Sequence, residues 1–221
     1  MNKYSDYDKF YFLIKKIIKK KKNNNESFFF VEIGANDGKI GDPMFDLVSK
    51  FQLSGILVEP VPYLFERLLD NYRHAKNLFF ENAAIADPTA ELTFFRLVET
   101  PGLPVWHTLL GSFRKDVILR HREEIPNIED LILEEKINVI SFNDLMKKYS
   151  VSRISLLFID TEGYDFEIIK TINFENYEIE NILFENKHLS PEEQNDCLVY
   201  LKAKGFNTFV THGGDTLAQK R

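Results

Sequence analysis

The sequence predicts an α/β fold in which helices cover both faces of a mostly parallel sheet. Short apolar runs typical of buried strands alternate with helical stretches over nearly all of the 221 residues. The runs at 28–33, 55–58 and 154–159 each lead into a loop that contains glycine or acidic residues, and a helical pattern follows. Strands joined through helices run parallel, because the crossover returns the chain to the same end of the sheet. The length suits one sizeable domain.

The composition is that of an ordinary globular protein, with 44% hydrophobic and 28% charged residues. A net charge of -6 argues against a nucleic-acid-binding surface, since such binding depends on neutralising phosphates with Lys and Arg. The single cysteine, Cys197, excludes an intramolecular disulfide and a multi-cysteine zinc site, and its setting predicts a buried structural thiol. No apolar run reaches the roughly 18 residues of a transmembrane helix, and no secretory signal is evident, so we expect a cytoplasmic location.

Residues 6–22 predict an amphipathic helix with a lysine-rich face. Its apolar residues recur at helical spacing: Phe10, Leu13, Ile14, Ile17 and Ile18. We expect this apolar face to pack on the protein's own domain, although a basic amphipathic helix also suits an anionic membrane surface or a partner. The helix and its polar linker form an N-terminal segment at 1–26, and the main domain is expected to span 27–221.

Local signals define the remaining elements. Asp42 and Pro43 have the pattern of an N-cap and a first helical residue, and the helix that they open runs to Phe51. Other helices are predicted over about 63–69, 143–149 and 190–204, and other strands over 77–80, 91–96, 137–142, 179–184, 206–210 and 216–218. The stretch from about 98 to 135 has no clear period, and such an insertion on an α/β scaffold often selects the substrate.

The first apolar run ends in a loop with two glycines, Gly34 and Gly38. Glycine tolerates positive φ and lets a ligand approach the backbone, so the loop suits a nucleotide-like molecule. Glu59 ends the second run about 20 residues later, where a nucleoside-binding βαβ unit has an acid that binds the ribose hydroxyls. The loop is neither the Gly-x-Gly-x-x-Gly fingerprint nor a phosphate-binding P-loop. An ordinary structural turn followed by an unrelated surface glutamate is the alternative.

Four acids crowd the junction between the strand at 154–159 and the next helix. Asp160 and Glu162 follow the carboxyl end of a strand, where parallel α/β sheets bind ligands. Asp165 and Glu167 fall in the first helical turns, where the helix dipole stabilises acids. The cluster is also compatible with a divalent cation, but we assign no residue to a metal.

Four motifs taken together resemble the FkbM family of S-adenosylmethionine-dependent methyltransferases, over about residues 27–218. They are Val31-Glu32-Ile33-Gly34-Ala35-Asn36-Asp37-Gly38, Val58-Glu59-Pro60, Glu81-Asn82-Ala83-Ala84 and Ile159-Asp160-Thr161-Glu162-Gly163-Tyr164-Asp165. The resemblance implies a class I methyltransferase fold, which is Rossmann-like with a seven-stranded sheet whose last strand is antiparallel. It also implies O-methylation of a hydroxyl on a sugar, glycan or other natural product, a small-molecule or glycan acceptor, and S-adenosylmethionine as the cofactor.

The resemblance also implies roles for individual residues. Cofactor-binding positions are Glu32, Gly34, Ala35, Asn36, Asp37, Gly38, Glu59, Pro60, Asn82, Ala83, Ser112 and Asp160. The loop at 32–38 would surround the methionine part, Glu59 would hold the ribose, and Asn82 and Ala83 would lie near the adenine. Ser112 is a weaker match, Asp37 departs from many relatives, and the lysine-rich helix is outside the family pattern.

Methyl transfer mainly requires that an acceptor oxygen and a methyl carbon be aligned and that a hydroxyl proton be removed. The resemblance sets Asp160 and Glu162 beside the methyl group. We expect Asp160 to position the cofactor or acceptor, and Glu162, His107 and His188 are the candidate bases. Two other classes stay open: an oxidoreductase that binds NAD or a nucleotide sugar, and a non-catalytic member of the same fold tethered through its N-terminal helix.

Overall fold

The computed structural model describes residues 4–210 and 214–221. Within these ranges a central sheet contains β1 (Phe29–Ile33), β2 (Ser54–Val58), β3 (Leu78–Glu81), β4 (Leu156–Ile159), β5 (Asn181–Glu185), β6 (Phe206–Val210) and β7 (Asp215–Lys220). The helices there are α1 (Tyr4–Asn23), α2 (Pro43–Phe51), α3 (Pro62–Asn71), α4 (Lys115–Leu119), α5 (Ile128–Leu131), α6 (Phe142–Lys148), α7 (Asp165–Thr171) and α8 (Pro191–Ala203).

The strand order across the sheet is β3-β2-β1-β4-β5-β7-β6. Neighbouring strands are parallel except at β7, which runs antiparallel to both β5 and β6. The predicted seven-stranded sheet with an antiparallel last strand is therefore confirmed. Ile33 at the end of β1 pairs with Val58 on β2 and with Ile159 on β4. This register brings the residues that follow the three strands to one edge of the sheet.

Alternating residues of the strands feed two hydrophobic layers, one on each face of the sheet. Val31 and Ile33 pack with α6, α7 and α8, whereas Phe30 packs with α1, α2 and α3. The isoleucines that α1 contributes to the second layer are all buried: Ile14, Ile17 and Ile18. Burying each of them contributes about 1.5–3 kcal/mol. The apolar face of α1 thus packs on the domain itself, as predicted.

The insertion has a small hydrophobic core of its own. Its strand Phe94–Leu97 pairs antiparallel with both Gly111–Ser112 and Ile132–Glu135. Five buried residues form the core: Leu97, Leu110, Ile118, Ile125 and Ile128. The segments are too short to show a period in the sequence, since α4 and α5 have five and four residues.

Side-chain caps fix the starts of α2, α6 and α8. Asp42 Oδ1 accepts a hydrogen bond from Met44 N at 2.6 Å, so the predicted cap of α2 is confirmed. The predicted strand at 137–142 was too long: it is reduced to Val139–Ile140, because Ser141 caps α6 and turns the chain. Cys197 is buried in α8, as predicted, and burial raises the pKa of its thiol to about 12. No helix in the described ranges is long and apolar enough to cross a membrane.

Candidate active site

The glycine loop lies between β1 and α2, directly against the end of β4. Gly34 has a φ of +85°, and a Cβ built on it would lie 1.8 Å from the carbonyl oxygen of Asp160. A Cβ on Gly38, at a φ of +67°, would lie 2.3 Å from Leu68. Both glycines are therefore required by close packing within the protein itself. The packing brings the loop and the acidic segment after β4 into contact.

Glu59 follows β2 and fixes the glycine loop. Its buried carboxylate accepts hydrogen bonds from Asn36 N at 2.9 Å and from Val61 N at 2.8 Å. Burial raises the pKa of Glu59 to about 7. A carboxylate has about four lone-pair sites, so two donors leave acceptor capacity toward a ligand.

Asn82 supports the backbone on the other side of Glu59. Its Nδ2 donates to the carbonyl oxygens of Glu59 at 2.8 Å and Pro60 at 3.1 Å. Asp37 also acts on the backbone, since its Oδ1 accepts from the N–H groups of the two residues that follow Gly38, at 2.9 and 2.8 Å. The structure therefore gives Asn82 and Asp37 bracing contacts within the fold.

Two hollows open at this edge of the sheet. The first, here called the apolar hollow, spans about 530 Å³, including space open to solvent. Its lining includes Gly34, Asn36, Glu59, Pro60, Ala83 and Phe113. The second, here called the acidic hollow, spans about 1280 Å³, also including space open to solvent. Its lining includes Trp106, His121, Asp160, Glu162, Glu185 and Lys187. Asp160 and Glu162 line both hollows, so the two meet at these carboxylates.

Glu32 does not line the apolar hollow. With Ala35 and Asp160 it lines a smaller hollow of about 330 Å³. Its Oε2 is buried without a hydrogen-bond partner. Burial, and then the neighbouring carboxyl groups of Asp42 and Asp160, hold the pKa of Glu32 well above its usual value. Glu32 and Glu59 thus flank one loop but open onto adjacent hollows.

Asp160 and Glu162 are positioned by the end of β4. Burial and the nearby Glu185 and Glu162 carboxylates hold the pKa of Asp160 well above its usual value. Glu162 has a φ of +50°, and its carbonyl oxygen accepts a hydrogen bond from Ser112 Oγ at 2.7 Å. Since Ser112 is buried, it positions Glu162 and does not line the apolar hollow.

His188 lies between two carboxylates. Its Nε2 is 2.9 Å from Glu162 Oε2 and 3.1 Å from Glu185 Oε2. Burial lowers the pKa of His188, but the two carboxylates outweigh this effect and raise it to about 9. Burial also acts against the ionised form of Glu162, yet His188 and Lys187 leave the pKa of Glu162 below its usual value. No functional role was assigned to Glu185 from the sequence. This residue ends β5, a position similar to that of Asp160, which follows β4.

His107 is not brought to either hollow. Its buried ring has Nδ1 2.6 Å from the Pro104 carbonyl oxygen, while Nε2 accepts from Thr100 N at 3.2 Å. These contacts brace the insertion, because both ring nitrogens are engaged by backbone groups. His121, to which no role is assigned from the sequence, lines the acidic hollow, 6.3 Å from His188 between ring centroids.

Comparison with known proteins adds independent information. The profile of the methyltransferase FkbM domain matches residues 32–208. Among solved structures, the methyltransferase FkbM from Methylobacillus flagellatus KT is similar over 87% of this chain and 43% of its own, with 12% identity and a TM-score of 0.52. The METTL16 MTase domain is similar over 96% of this chain and 66% of its own, with 9% identity and a TM-score of 0.51.

The chain thus spans less than two thirds of the length of either structure. At these identities the likeness is one of fold, and the fold is that of class I methyltransferases. No curated protein matches the sequence.

Proposed function

Because the chain belongs to the FkbM methyltransferase family, we propose that it methylates a hydroxyl oxygen of a sugar, glycan or other natural product, with S-adenosylmethionine as the methyl donor. The observation that carries the proposal is the meeting of the two hollows at Asp160 and Glu162. The apolar hollow suits a nucleoside, and the acidic hollow suits a polar acceptor. Molecules bound in the two hollows would meet at these carboxylates.

The residues around β1 and β2 fit the cofactor. Glu59 keeps acceptor capacity for the two ribose hydroxyls, beside the loop that it fixes. Ala83 and Ala84 line the apolar hollow, and their small apolar side chains suit contact with adenine. The unpartnered Oε2 of Glu32 suits the ammonium group of the methionine part, since a buried carboxylate gains most from a cationic partner.

When bound, S-adenosylmethionine supplies an electrophilic methyl carbon, to which the acceptor oxygen bonds as the carbon–sulfur bond breaks and its electron pair returns to sulfur. The side chain of Asp160 is suited to two tasks beside that centre. Its carboxylate stabilises a nearby positive charge. Burial raises the pKa of Asp160, which makes its ionised form a stronger acceptor for the hydroxyl proton. His188, with a pKa of about 9, is protonated at neutral pH and has no role as the base in this proposal.

Replacing Asp160 with Asn tests the proposal. Calorimetry would measure the Kd of S-adenosylmethionine, and formation of S-adenosylhomocysteine with a panel of sugars and glycans would measure turnover. We expect kcat to fall by at least about 100-fold, with Kd changed only a few-fold, because proton removal contributes on this scale. The matched control is Asp70→Asn, since Asp70 is exposed on α3.

Unchanged turnover in the Asp160→Asn variant would contradict the assigned role. A parallel titration with NAD distinguishes the other classes. Binding of NAD and not of S-adenosylmethionine would support an oxidoreductase, and binding of neither would support a non-catalytic member of the fold.

A further inference from the structure

Three side chains at the ends of β4 and β5 are arranged as metal ligands. Glu162, Glu185 and His188 each direct one donor atom into a common space, and these atoms all lie within 4.8 Å of one another. We infer that these residues bind one divalent transition-metal ion. Adjacent ligands at right angles around an ion, with bonds of about 2.1 Å, are about 3.0 Å apart. The separations of 2.9 and 3.1 Å from His188 Nε2 to the two carboxylate oxygens have this value.

Hydrogen bonds within the protein do not satisfy these three metal-ligating atoms. A protonated His188 forms ion pairs with the two carboxylates, but neither contact has hydrogen-bond geometry, so Nε2 of His188 and the Oε2 atoms of Glu162 and Glu185 are buried without a hydrogen-bond partner. A metal ion would take the place of that ring proton. Among the described residues, six buried side-chain nitrogen or oxygen atoms lack such a partner. Three of them are these ligand atoms, and a fourth, Nε2 of His121, belongs to a ring whose centroid is 6.3 Å from that of His188. A cation would satisfy atoms that are otherwise costly to bury.

The three side chains are held in place by the surrounding chain. Ser112 bonds the backbone of Glu162, and Arg120 Nη1 donates to the carbonyl oxygen of His188 at 3.1 Å. Lys187 Nζ contacts Glu185 Oε1, which leaves Oε2 of the same carboxylate for the ion. His188 is 6% exposed and Glu185 is 8% exposed, so neither has room to leave the cluster easily. Ligands fixed by such outer contacts bind metals more tightly than mobile ones.

The charge and chemistry of the cluster indicate the class of ion. Four carboxyl groups lie together, Asp160, Glu162, Asp165 and Glu185, and Lys187 lies against Glu185. A divalent cation would favour the ionised forms of these carboxyl groups. An imidazole with two carboxylates suits Mn²⁺, Fe²⁺, Co²⁺ or Zn²⁺ better than Mg²⁺ or Ca²⁺, which prefer oxygen ligands.

Three protein ligands leave coordination positions for other molecules. Two of the ligands, Glu162 and Glu185, line the acidic hollow. An ion held there would bind hydroxyl oxygens of an acceptor and lower their pKa. This role rests on the function proposed above, whereas the metal site itself does not.

Metal binding can be measured without any methyl donor. The 221-residue chain, without a tag, would be stripped with EDTA and titrated with Co²⁺ by visible absorption and with Mn²⁺ by electron paramagnetic resonance. We expect one ion per chain. His188→Ala and Glu185→Gln should each weaken binding at least 10-fold, a loss on the order of that seen on altering metal-site residues. His74→Ala and Glu167→Gln are matched controls, because both residues are exposed, and their affinities should equal that of the unaltered chain.

Circular dichroism would confirm that each variant is folded. Glu185→Gln keeps the side-chain shape, so it decides the result if the deeper His188→Ala substitution does not fold. Failure of the unaltered chain to bind either ion stoichiometrically would overturn the inference, as would equal affinity in the Glu185→Gln variant. Binding of Co²⁺ without binding of S-adenosylmethionine would retain the metal site and reject the proposed function. The reverse pattern would reject the metal site alone.

Discussion

The two halves of the sheet edge differ in how they treat their polar groups. After β1 and β2, the protein pairs its own groups: Glu59 accepts two backbone N–H groups, and Asn82 donates to two carbonyl oxygens. After β4 and β5, Glu162, Glu185 and His188 each have a buried polar atom without a hydrogen-bond partner. The first region is a wall whose polar groups are held mainly by the protein itself, with Oε2 of Glu32 as the exception. The second has the composition of a site that a bound metal ion would complete.

The largest expected effect on stability comes from a substitution at the contact between the two regions. Gly34→Ala would put a Cβ 1.8 Å from the Asp160 carbonyl oxygen, so the backbone would have to move. Urea unfolding should show a loss of more than about 4 kcal/mol, or no folded protein. The matched control is Gly102→Ala. Gly102 also has positive φ, +89°, but nothing lies within 4 Å of its added Cβ, so the loss should be about 1–2 kcal/mol. Equal losses would show that the two regions are not in tight contact.

Two substitutions with an intermediate expected effect on stability test whether the two regions bind different ligands. Asn82→Ala removes two hydrogen bonds to the backbone around Glu59, and Ser112→Ala removes one to the backbone of Glu162. Each should lower the free energy of unfolding by about 1–3 kcal/mol. By calorimetry, Asn82→Ala should weaken binding of S-adenosylmethionine more than that of Co²⁺, and Ser112→Ala should do the opposite. If each variant weakened the binding of both ligands equally, the division into two regions would be wrong.

The positions of the strands could be predicted from the sequence because each is a short apolar run with a clear end. Glu59 and Asp160 could be found in the same way, as the polar residues that follow such runs. Glu185 and His121 could not be found in this way. Their proximity to Glu162 depends on the strand order and on the fold of the insertion, which no local sequence pattern encodes. His107 was proposed as a base because a sequence cannot show that backbone groups engage both ring nitrogens.

A further expected effect is a pH dependence of stability. Burial, with a contribution from Glu185, raises the pKa of Asp165 to about 7. The folded state therefore keeps a proton that the unfolded state loses near pH 4, so this group costs stability as the pH rises from about 4 to 7. Asn resembles the neutral acid and does not titrate. The stability of Asp165→Asn relative to the unaltered chain should rise by about 1–3 kcal/mol between pH 5 and 8 in urea unfolding. A constant difference would contradict the raised pKa.

The central claim is that the wall after β1 and β2 holds the nucleoside of the methyl donor. A crystal structure of the chain with S-adenosylhomocysteine tests it most directly. The account predicts ribose hydroxyls within hydrogen-bond distance of the Glu59 carboxylate and the adenine against Ala83. A nucleoside bound elsewhere on the chain, or one with no contact to Glu59, would contradict it.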